Sequence, residues 1–499
     1  MTSTQWFGRG RSKQSSATNS KELRIRAYDI VVIGSGIAGL SAAKHLQKAN
    51  SSYKILVLEA RDRLGGRTYT LVDEDEQHHH RRENESMTAN NTSTPSKSNS
   101  IYIDMGATWV HGGKQSGQPI AVLANAMGYK LMNDNTEDER LYDLDARKFI
   151  SPQKMEQAQQ SFEATLKKAK KHAKSVESRR KQDISIQQAL ESVNPVIVQD
   201  PLQQYLIRQW LEFDFGGTAD TISGAHFDED SEFHGADSIP SQGYKPIVER
   251  LANGLDIQLE TQVSTIDYDT KGVRLFTNRG IYEAKRVVCT IPLGVLKSGA
   301  VSFKPSLSES KQRAIDRLGW GVVNKVALLF NRVFWPPKQS GFGVVSSETP
   351  FCQYILNKYP FTQVPMLEAY IVGKQAQRMA DLSNEEVVDN IIHELSIMFG
   401  QTVEMLEDSL IQKIYIQRWE KEEFTRGAYS YATVGSKADD FEAFEYSQLK
   451  VLFFAGEHTS VDYRGTAHGA FLSGRRAARD ILSTLEDKSR VPAFSSLVT

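Results

Sequence analysis

Tyr28-Asp29-Ile30-Val31-Val32-Ile33, Gly34-Ser35-Gly36-Ile37-Ala38-Gly39, a helical stretch over 40–48, and Lys54-Ile55-Leu56-Val57-Leu58-Glu59 follow one another without a break. The apolar run 30–33 fits a strand buried on both faces. Gly34 allows a tight turn, Gly36 lets the backbone approach a pyrophosphate, and Gly39 lets helix and strand pack closely. The helix start then presents free N–H groups and a positive dipole end to phosphates. Glu59 lies twenty positions after Gly39, at the end of the second strand, where a carboxylate can accept the ribose hydroxyls. A lone glycine-rich turn would mean little. The strand before it, the helix after it and the spaced acid together read as a dinucleotide site.

Composition narrows the class. The chain has 499 residues, enough for two domains with filled cores. Hydrophobic content of 40% and charged content of 24% are globular values. A net charge of −1 gives no reason to expect a nucleic-acid partner. Two cysteines, Cys289 and Cys352, make no disulfide framework. Residues 1–20 are polar and basic without an apolar leader core. No apolar run approaches a membrane span, and the end at Thr499 is no peroxisomal address. The expectation is a protein of a reducing, cytoplasmic compartment.

Residues 1–24 read as a disordered tail. Residues 73–100, rich in His, Asn, Ser and Thr, read as a flexible insertion. They contain His78-His79-His80. Contiguous histidines point apart in most backbones, so the stretch reads as a solvated loop, with a metal site as the alternative; no metal is expected. A Lys-rich stretch over 155–181 has apolar positions at helical spacing and reads as a solvated helix. Residues 202–215 and an acidic turn, Asp228-Glu229-Asp230, follow. Strands are expected over 257–266, 273–276, 322–330 and 451–454. Another buried strand begins at Ala284 and stops at Pro292. Helices are expected from Gly243-Tyr244, over 384–399 and within 465–482. No repeat is visible.

Four separated segments then resemble the flavin amine oxidase family. They are the opening unit with its extension Ala60-Arg61-Asp62-Arg63-Leu64-Gly65-Gly66-Arg67, the segment Gly106-Ala107-Thr108-Trp109-Val110-His111-Gly112, the segment Pro292-Leu293-Gly294-Val295-Leu296-Lys297 with Lys325 downstream, and Phe454-Ala455-Gly456-Glu457-His458-Thr459. The likeness runs from Tyr28 to Leu482 apart from the insertion. It is nearest to polyamine oxidases and to the catalytic domain of lysine-specific histone demethylases. It implies an α/β fold. A Rossmann-like FAD-binding domain would be assembled from discontinuous segments 25–117, 239–300 and 411–486. A mixed α+β substrate-binding domain would come from 118–238 and 301–410, and 487–499 would be a tail.

The resemblance also implies roles. Arg61 and Arg67 would bring fork-shaped donors to the cofactor. Val263 resembles the residue whose backbone meets the adenine, and Trp419 the one packed at the flavin. Glu457 resembles a flavin-contacting Glu. Thr466 and Ala467 open a helix whose N-terminus would stabilise charge on the reduced ring. Lys325 lies inside an apolar run, Asn324-Lys325-Val326-Ala327-Leu328-Leu329-Phe330, where a charge is costly. It is either a strand-edge side chain reaching water or, as the resemblance implies, the lysine that holds a water at the reactive flavin nitrogen. Tyr429 resembles the aromatic wall beside the flavin. Its partner position holds Thr466, which disfavours a two-tyrosine cage. Ala428 stands where monoamine oxidases carry a flavin-linked cysteine, so the FAD is expected to be non-covalent. On the substrate side His111 resembles a histidine of spermine oxidases. Glu212, in Trp210-Leu211-Glu212-Phe213-Asp214-Phe215, resembles an active-site acid of polyamine oxidases, with Asp214 the weaker candidate.

The implied reaction oxidises a carbon–nitrogen bond of a polyamine. A hydride passes to the flavin, water hydrolyses the imine to aldehyde and amine, and O2 is reduced to H2O2. Two rivals are a demethylase acting on methyl-lysine and a flavoprotein without oxidase activity. Against the first stand the short stretch before the first strand and the lack of room for a long helical hairpin. Against the second stand Lys325, Tyr429 and Glu457.

Overall fold

A computed structural model describes residues 25–74, 100–113, 116–134 and 139–485. The expected tails, and residues 75–99 of the expected insertion with His78-His79-His80, lie outside the described residues; Asp73, expected to open that insertion, instead ends the strand Thr70–Asp73.

The opening unit forms as its residues require. The strand Ile25–Ile33 lies between Gly280–Cys289 and Ile55–Leu58 and is parallel to both, with Ile33 opposite Cys289 and Leu58. Leu452–Phe454 adds a further parallel strand beside Gly280–Cys289. Val263–Tyr268 and Val273–Thr277 extend the sheet antiparallel. Ile30, Val31 and Val32 are fully buried, as expected for a strand covered on both faces. The helices Ile37–Ala49 and Ala467–Thr484 cover one face. They approach so closely that a Cβ on Gly474 would meet the Ala38 carbonyl oxygen at 2.1 Å, which only glycine tolerates.

A second sheet runs in the order Ile411–Gln417, Asn324–Phe330, Met366–Ile371, Tyr354–Asn357, Gly341–Val345, Arg140–Asp143 and Lys148–Phe149. Every residue of Asn324–Phe330 is buried. Helices Pro152–Arg180, Ile186–Val193 and Pro201–Ile207 pack into a separate apolar cluster around Phe162, Leu190, Leu206 and Leu211. The helix Asn384–Phe399 has the expected bounds. Its Ser383–Glu386 capping box and the left-handed Gly400 fix both ends.

Two boundaries differ from the sequence reading. Ile411–Gln417, expected with the third cofactor segment, pairs with Asn324–Phe330 in the second sheet. Ser302–Lys304, expected in the substrate domain, pairs with Val263–Tyr268 in the first. In both places the chain completes a sheet edge before crossing over, so the topological switch falls several residues after the change in pattern. The strand expected to reach Pro292 ends at Cys289, and Pro292 instead caps the helix Leu293–Lys297. Among the described residues no helix is long and apolar enough to cross a membrane.

Candidate active site

A cavity of about 1500 Å³ runs from the first strand–helix turn to the inner face of the second sheet. Gly34, Gly36, Glu59, Arg61, Arg67, Val263, Trp419, Glu457, Thr466, Ala467, Lys325, Tyr429, His111 and Asp214 all line it; Gly39 and Glu212 do not.

At the first end the surface is mostly main chain. Gly34 has φ +99°, a conformation that favours glycine. A Cβ on Gly39 would meet the Gly34 carbonyl oxygen at 2.0 Å, so Gly39 shapes the turn from behind. No side chain caps the helix at Gly36, leaving its first-turn N–H groups for a ligand. Glu59 Oε2 accepts from the Ser35 N–H (2.8 Å) and hydroxyl (2.7 Å), and Oε1 from the Arg61 N–H (3.0 Å). Arg61 is itself forked onto Glu422, with its Nη2 also 2.6 Å from the Thr425 hydroxyl.

The middle of the cavity is cross-braced. Arg67 Nη1 donates to Glu457 Oε1 and to the Ala428 carbonyl, both at 2.8 Å. Glu457 Oε2 accepts from the Ser430 hydroxyl (2.6 Å) and the Gly465 N–H (3.0 Å). Burial would push the Glu457 carboxyl up, but the Arg67 guanidinium and the Ser430 hydroxyl hold it below the usual carboxylate value. Thr466 caps its helix by accepting from the Gly469 N–H at 2.9 Å. Trp419 is buried and donates from Nε1 to the Met105 carbonyl at 3.0 Å.

Lys325 is 3% exposed and does not reach bulk water. Its ammonium donates to the Gly106 carbonyl (3.2 Å), the Thr108 hydroxyl (2.5 Å) and the Asp104 carbonyl. Burial pulls its pKa below the ordinary lysine value, opposed by Glu368 and Asp104. The Tyr429 hydroxyl donates to the Phe213 carbonyl. Trp109, Phe213 and Tyr370 stand beside these groups with ring centroids 5.2–6.1 Å apart, forming an aromatic wall.

The far end carries side-chain charge. Asp214, Asp230, Glu232 and Asp237 line the cavity. Asp214 is exposed and lines the cavity. Burial pushes its carboxyl up to about 7, against the pull of His111. His111 Nδ1 is 2.8 Å from Asp237 Oδ2, while Asp237 Oδ1 accepts from the Gly112 N–H at 3.0 Å. Burial lowers the imidazole, but the Asp237 contact outweighs it and holds His111 above its ordinary value. The contact also leaves Nε2 for a ligand.

Glu212 is the correction. The helix Pro201–Ile207 continues as a π-type turn over Arg208–Phe213, whose wider winding shifts the helical phase. Phe213, Asp214 and Phe215 therefore face the cavity and Glu212 faces away. Its carboxylate accepts from the Ala219 N–H at 2.9 Å and fills the space a Cβ on Gly373 would need. Burial raises its pKa, with Arg208 opposing. The sequence reading also passed over Asp237, 126 residues from His111, for which no local pattern exists. It missed Glu368 as well, although a charge inside Met366-Leu367-Glu368-Ala369-Tyr370-Ile371 is the same irregularity that marked Lys325. Among the described residues no group of His, Cys, Asp and Glu could hold a metal ion.

The chain is similar to known proteins over most of its length. The chain is 32% identical over 479 residues to polyamine oxidase 2 of Arabidopsis thaliana, covering 92% of this chain and 89% of that one. It is also 32% identical over 480 residues to polyamine oxidase 4 of Oryza sativa subsp. japonica, covering 93% and 90%. Lysine-specific histone demethylase 1 homolog 1 of Arabidopsis thaliana is 31% identical over 494 residues, covering 95% of this chain but 55% of that one. The solved structure of a putrescine oxidase double mutant, made in a redesign of cofactor binding, superposes with a TM-score of 0.70 at 19% identity, covering 92% of this chain and 100% of that one. That likeness establishes the shared fold. The profile of the flavin containing amine oxidoreductase family matches residues 37–482, and the chain belongs to that family.

Proposed function

We propose that the protein oxidises polyamines using a non-covalently held FAD. The observation that carries this reading is one continuous cavity with a main-chain cradle at one end and carboxylates at the other, joined by an aromatic wall beside Lys325. The cradle fits a dinucleotide: Gly34 has the required positive φ, the helix at Gly36 is uncapped, and Glu59 sits at the rim. Cys289 and Cys352 are both buried and neither lines the cavity. With Ala428 on the wall, no thiol is placed to link a flavin. When bound, FAD would accept the hydride from the carbon beside the amine nitrogen and pass electrons to O2, yielding H2O2.

The protein's own groups do the rest. Asp214, Asp230, Glu232 and Asp237 receive the distal ammonium groups. Trp109, Phe213 and Tyr429 exclude water around the reacting nitrogen, which favours its neutral form. His111, aligned by Asp237, hydrogen-bonds along the amine chain through Nε2. Lys325 holds its ammonium at the wall for a water beside the flavin.

A peroxide-coupled assay over spermine, spermidine, their acetylated forms, benzylamine and a methyl-lysine histone peptide tests the reading. The expected outcome is turnover of polyamines with the flavin released into the supernatant by acid. Benzylamine or the methylated peptide outperforming every polyamine would overturn the substrate class. Colour that stays with acid-precipitated protein would overturn non-covalent binding.

A further inference from the structure

Behind the cavity wall lie four charged side chains with almost no exposure: Lys325 at 3%, Lys358 at 2%, Glu368 and Asp104 at 0%. Only Lys325 of the four reaches the cavity. Glu368 comes from the strand Met366–Ile371, opposite Ala327, so its side chain rises next to Lys325 on the same sheet face. Its Oε2 is 3.4 Å from Lys325 Nζ and accepts from the Tyr370 hydroxyl at 3.3 Å. Its Oε1 is 3.8 Å from Lys358 Nζ and has no hydrogen-bond partner. One carboxylate thus lies between two ammonium groups. Asp104 approaches from the strand Ile101–Asp104; its Oδ1 is held by the Thr70 hydroxyl (2.5 Å) and the Tyr244 N–H (3.0 Å), while Oδ2 has no hydrogen-bond partner.

Buried charges at such positions persist only when mutually compensated. A simple ion pair for Lys325 would need one acid. The second lysine beyond that acid, Lys358, offsets the buried carboxylate of Asp104 as well, and it shares the Glu368 carboxylate with Lys325. We propose that Glu368 and Lys358 are positioning residues that set the charge on the Lys325 ammonium from behind the cavity wall. Glu368 favours the charged form and Lys358 opposes it. Asp104, whose carboxyl burial pushes up, also faces Lys325 and when ionised favours its charged form, and Tyr370 and Thr108 present neutral hydroxyls. The directions of the pKa influences on Lys325 agree: Glu368 and Asp104 raise it, and Lys358 lowers it. The proposal rests on the reading that Lys325 stands beside the flavin.

The test is a pH titration of the visible absorbance of flavin-loaded protein with no substrate present. The wild type is expected to show a transition that Lys325→Met removes. Glu368→Gln should move that transition down by roughly 1–3 pH units, the size expected of an opposite charge within about 4–6 Å, and Lys358→Met should move it up by a smaller amount, since Lys358 lies beyond Glu368. The double variant Glu368→Gln/Lys358→Met, which keeps the cluster's net charge, should return it towards the wild-type position. Shifts of opposite sign cannot come from loosened packing, which would disturb both variants alike. If Glu368→Gln does not fold, Lys358→Met and the double variant still give the sign. Same-sign shifts, no shifts, or no Lys325-dependent transition would overturn the proposal. Because no substrate is present, failure of the polyamine reading leaves the titration intact; protein that takes up no flavin would overturn the proposed function itself.

Discussion

The two ends of the cavity are made of different material. At the Gly34 end, shape comes from backbone: a positive φ at Gly34, no room for a Cβ at Gly39, and an uncapped helix at Gly36. At the Asp214 end, it comes from the direction of side chains on a π-type turn and a loop. A backbone cradle is specified residue by residue, because only glycine satisfies its geometry. A side-chain site is specified by helical phase, which one extra residue per turn can rotate. The first kind of site can be read from spacing. The second needs the fold.

The largest effects separate the two glycines of the cradle. Gly39→Ala drives a Cβ into a carbonyl oxygen at 2.0 Å. Backbone on both sides cannot yield, so the cost should exceed the roughly 1–3 kcal/mol of ordinary overpacking. We expect little folded protein, seen as a large drop in Tm. Gly36→Ala meets nothing closer than the Gly65 carbonyl oxygen at 4.0 Å. It should fold with a near-normal Tm in flavin-free form yet lose flavin affinity by about tenfold or more, because the added methyl stands where the pyrophosphate must approach. Equal flavin loading of Gly36→Ala and wild type would break the claim that this end binds through backbone.

Lys325→Met comes next. It removes the ammonium that stands 4.8 Å from the Tyr370 ring centroid on the cavity wall, without touching the cradle. We expect flavin reduction by substrate, followed anaerobically by stopped flow, to slow by about 10²–10³-fold, the range of a lost positioned proton-handling or electrostatic group. Flavin content should stay at the wild-type level. Wild-type reduction rates would reassign Lys325 to structure alone.

How far the sequence carries follows the same division. The opening strand, its helix and the helix Asn384–Phe399 were legible because periodicity and caps are local. Lys325 was legible because a charge amid apolar residues is anomalous wherever it points. Glu368 is the same anomaly and could have been found. Glu212 was ranked above Asp214 by resemblance alone; both sit between apolar residues, and which of them faces the cavity is decided by the wider winding of Arg208–Phe213, which no local pattern marks. The pairing of Asp237 with His111 joins residues far apart in the chain. The strand Ile411–Gln417 was misassigned because its apolar pattern suits either sheet; only hydrogen-bonding neighbours decide.

That ranking can be tested by substitution. Asp214→Asn removes a cavity carboxylate, and a desolvated pair with a cation is worth about 2–5 kcal/mol when one partner is lost. The KM for spermine or spermidine should rise by tens-fold or more, with a smaller change for benzylamine if that is turned over. Glu212→Gln should leave KM within a few-fold and act through stability, since it holds the Ala219 N–H rather than a ligand. The reverse order of KM effects would show that Glu212 reaches the substrate after all.

The smallest effect is one of pH, and it isolates the charge on Asp214 from everything else. Its carboxyl, lifted to about 7 by burial, must be ionised to hold an ammonium group. The binding contribution is therefore present above about 7 and lost as pH falls through that value. The imidazole of His111 titrates in the same pocket, so the observed steps belong to the pair. The substrate amine also deprotonates as pH rises, which confuses any single profile. The ratio of kcat/KM for wild type to that for Asp214→Asn cancels the amine, because both enzymes meet the same substrate. That ratio should climb by about tenfold between pH 6 and pH 8, the change expected when a group of pKa near 7 goes from about one-tenth to about nine-tenths ionised. In kcat the same limb should lie at lower pH, because a bound cation favours the carboxylate and kcat reports the complex rather than the free enzyme. The corresponding ratio for Glu212→Gln should be flat. A flat ratio for Asp214→Asn would mean that its carboxylate does not carry the far end of the cavity, and the task would pass to Asp230, Glu232 and Asp237.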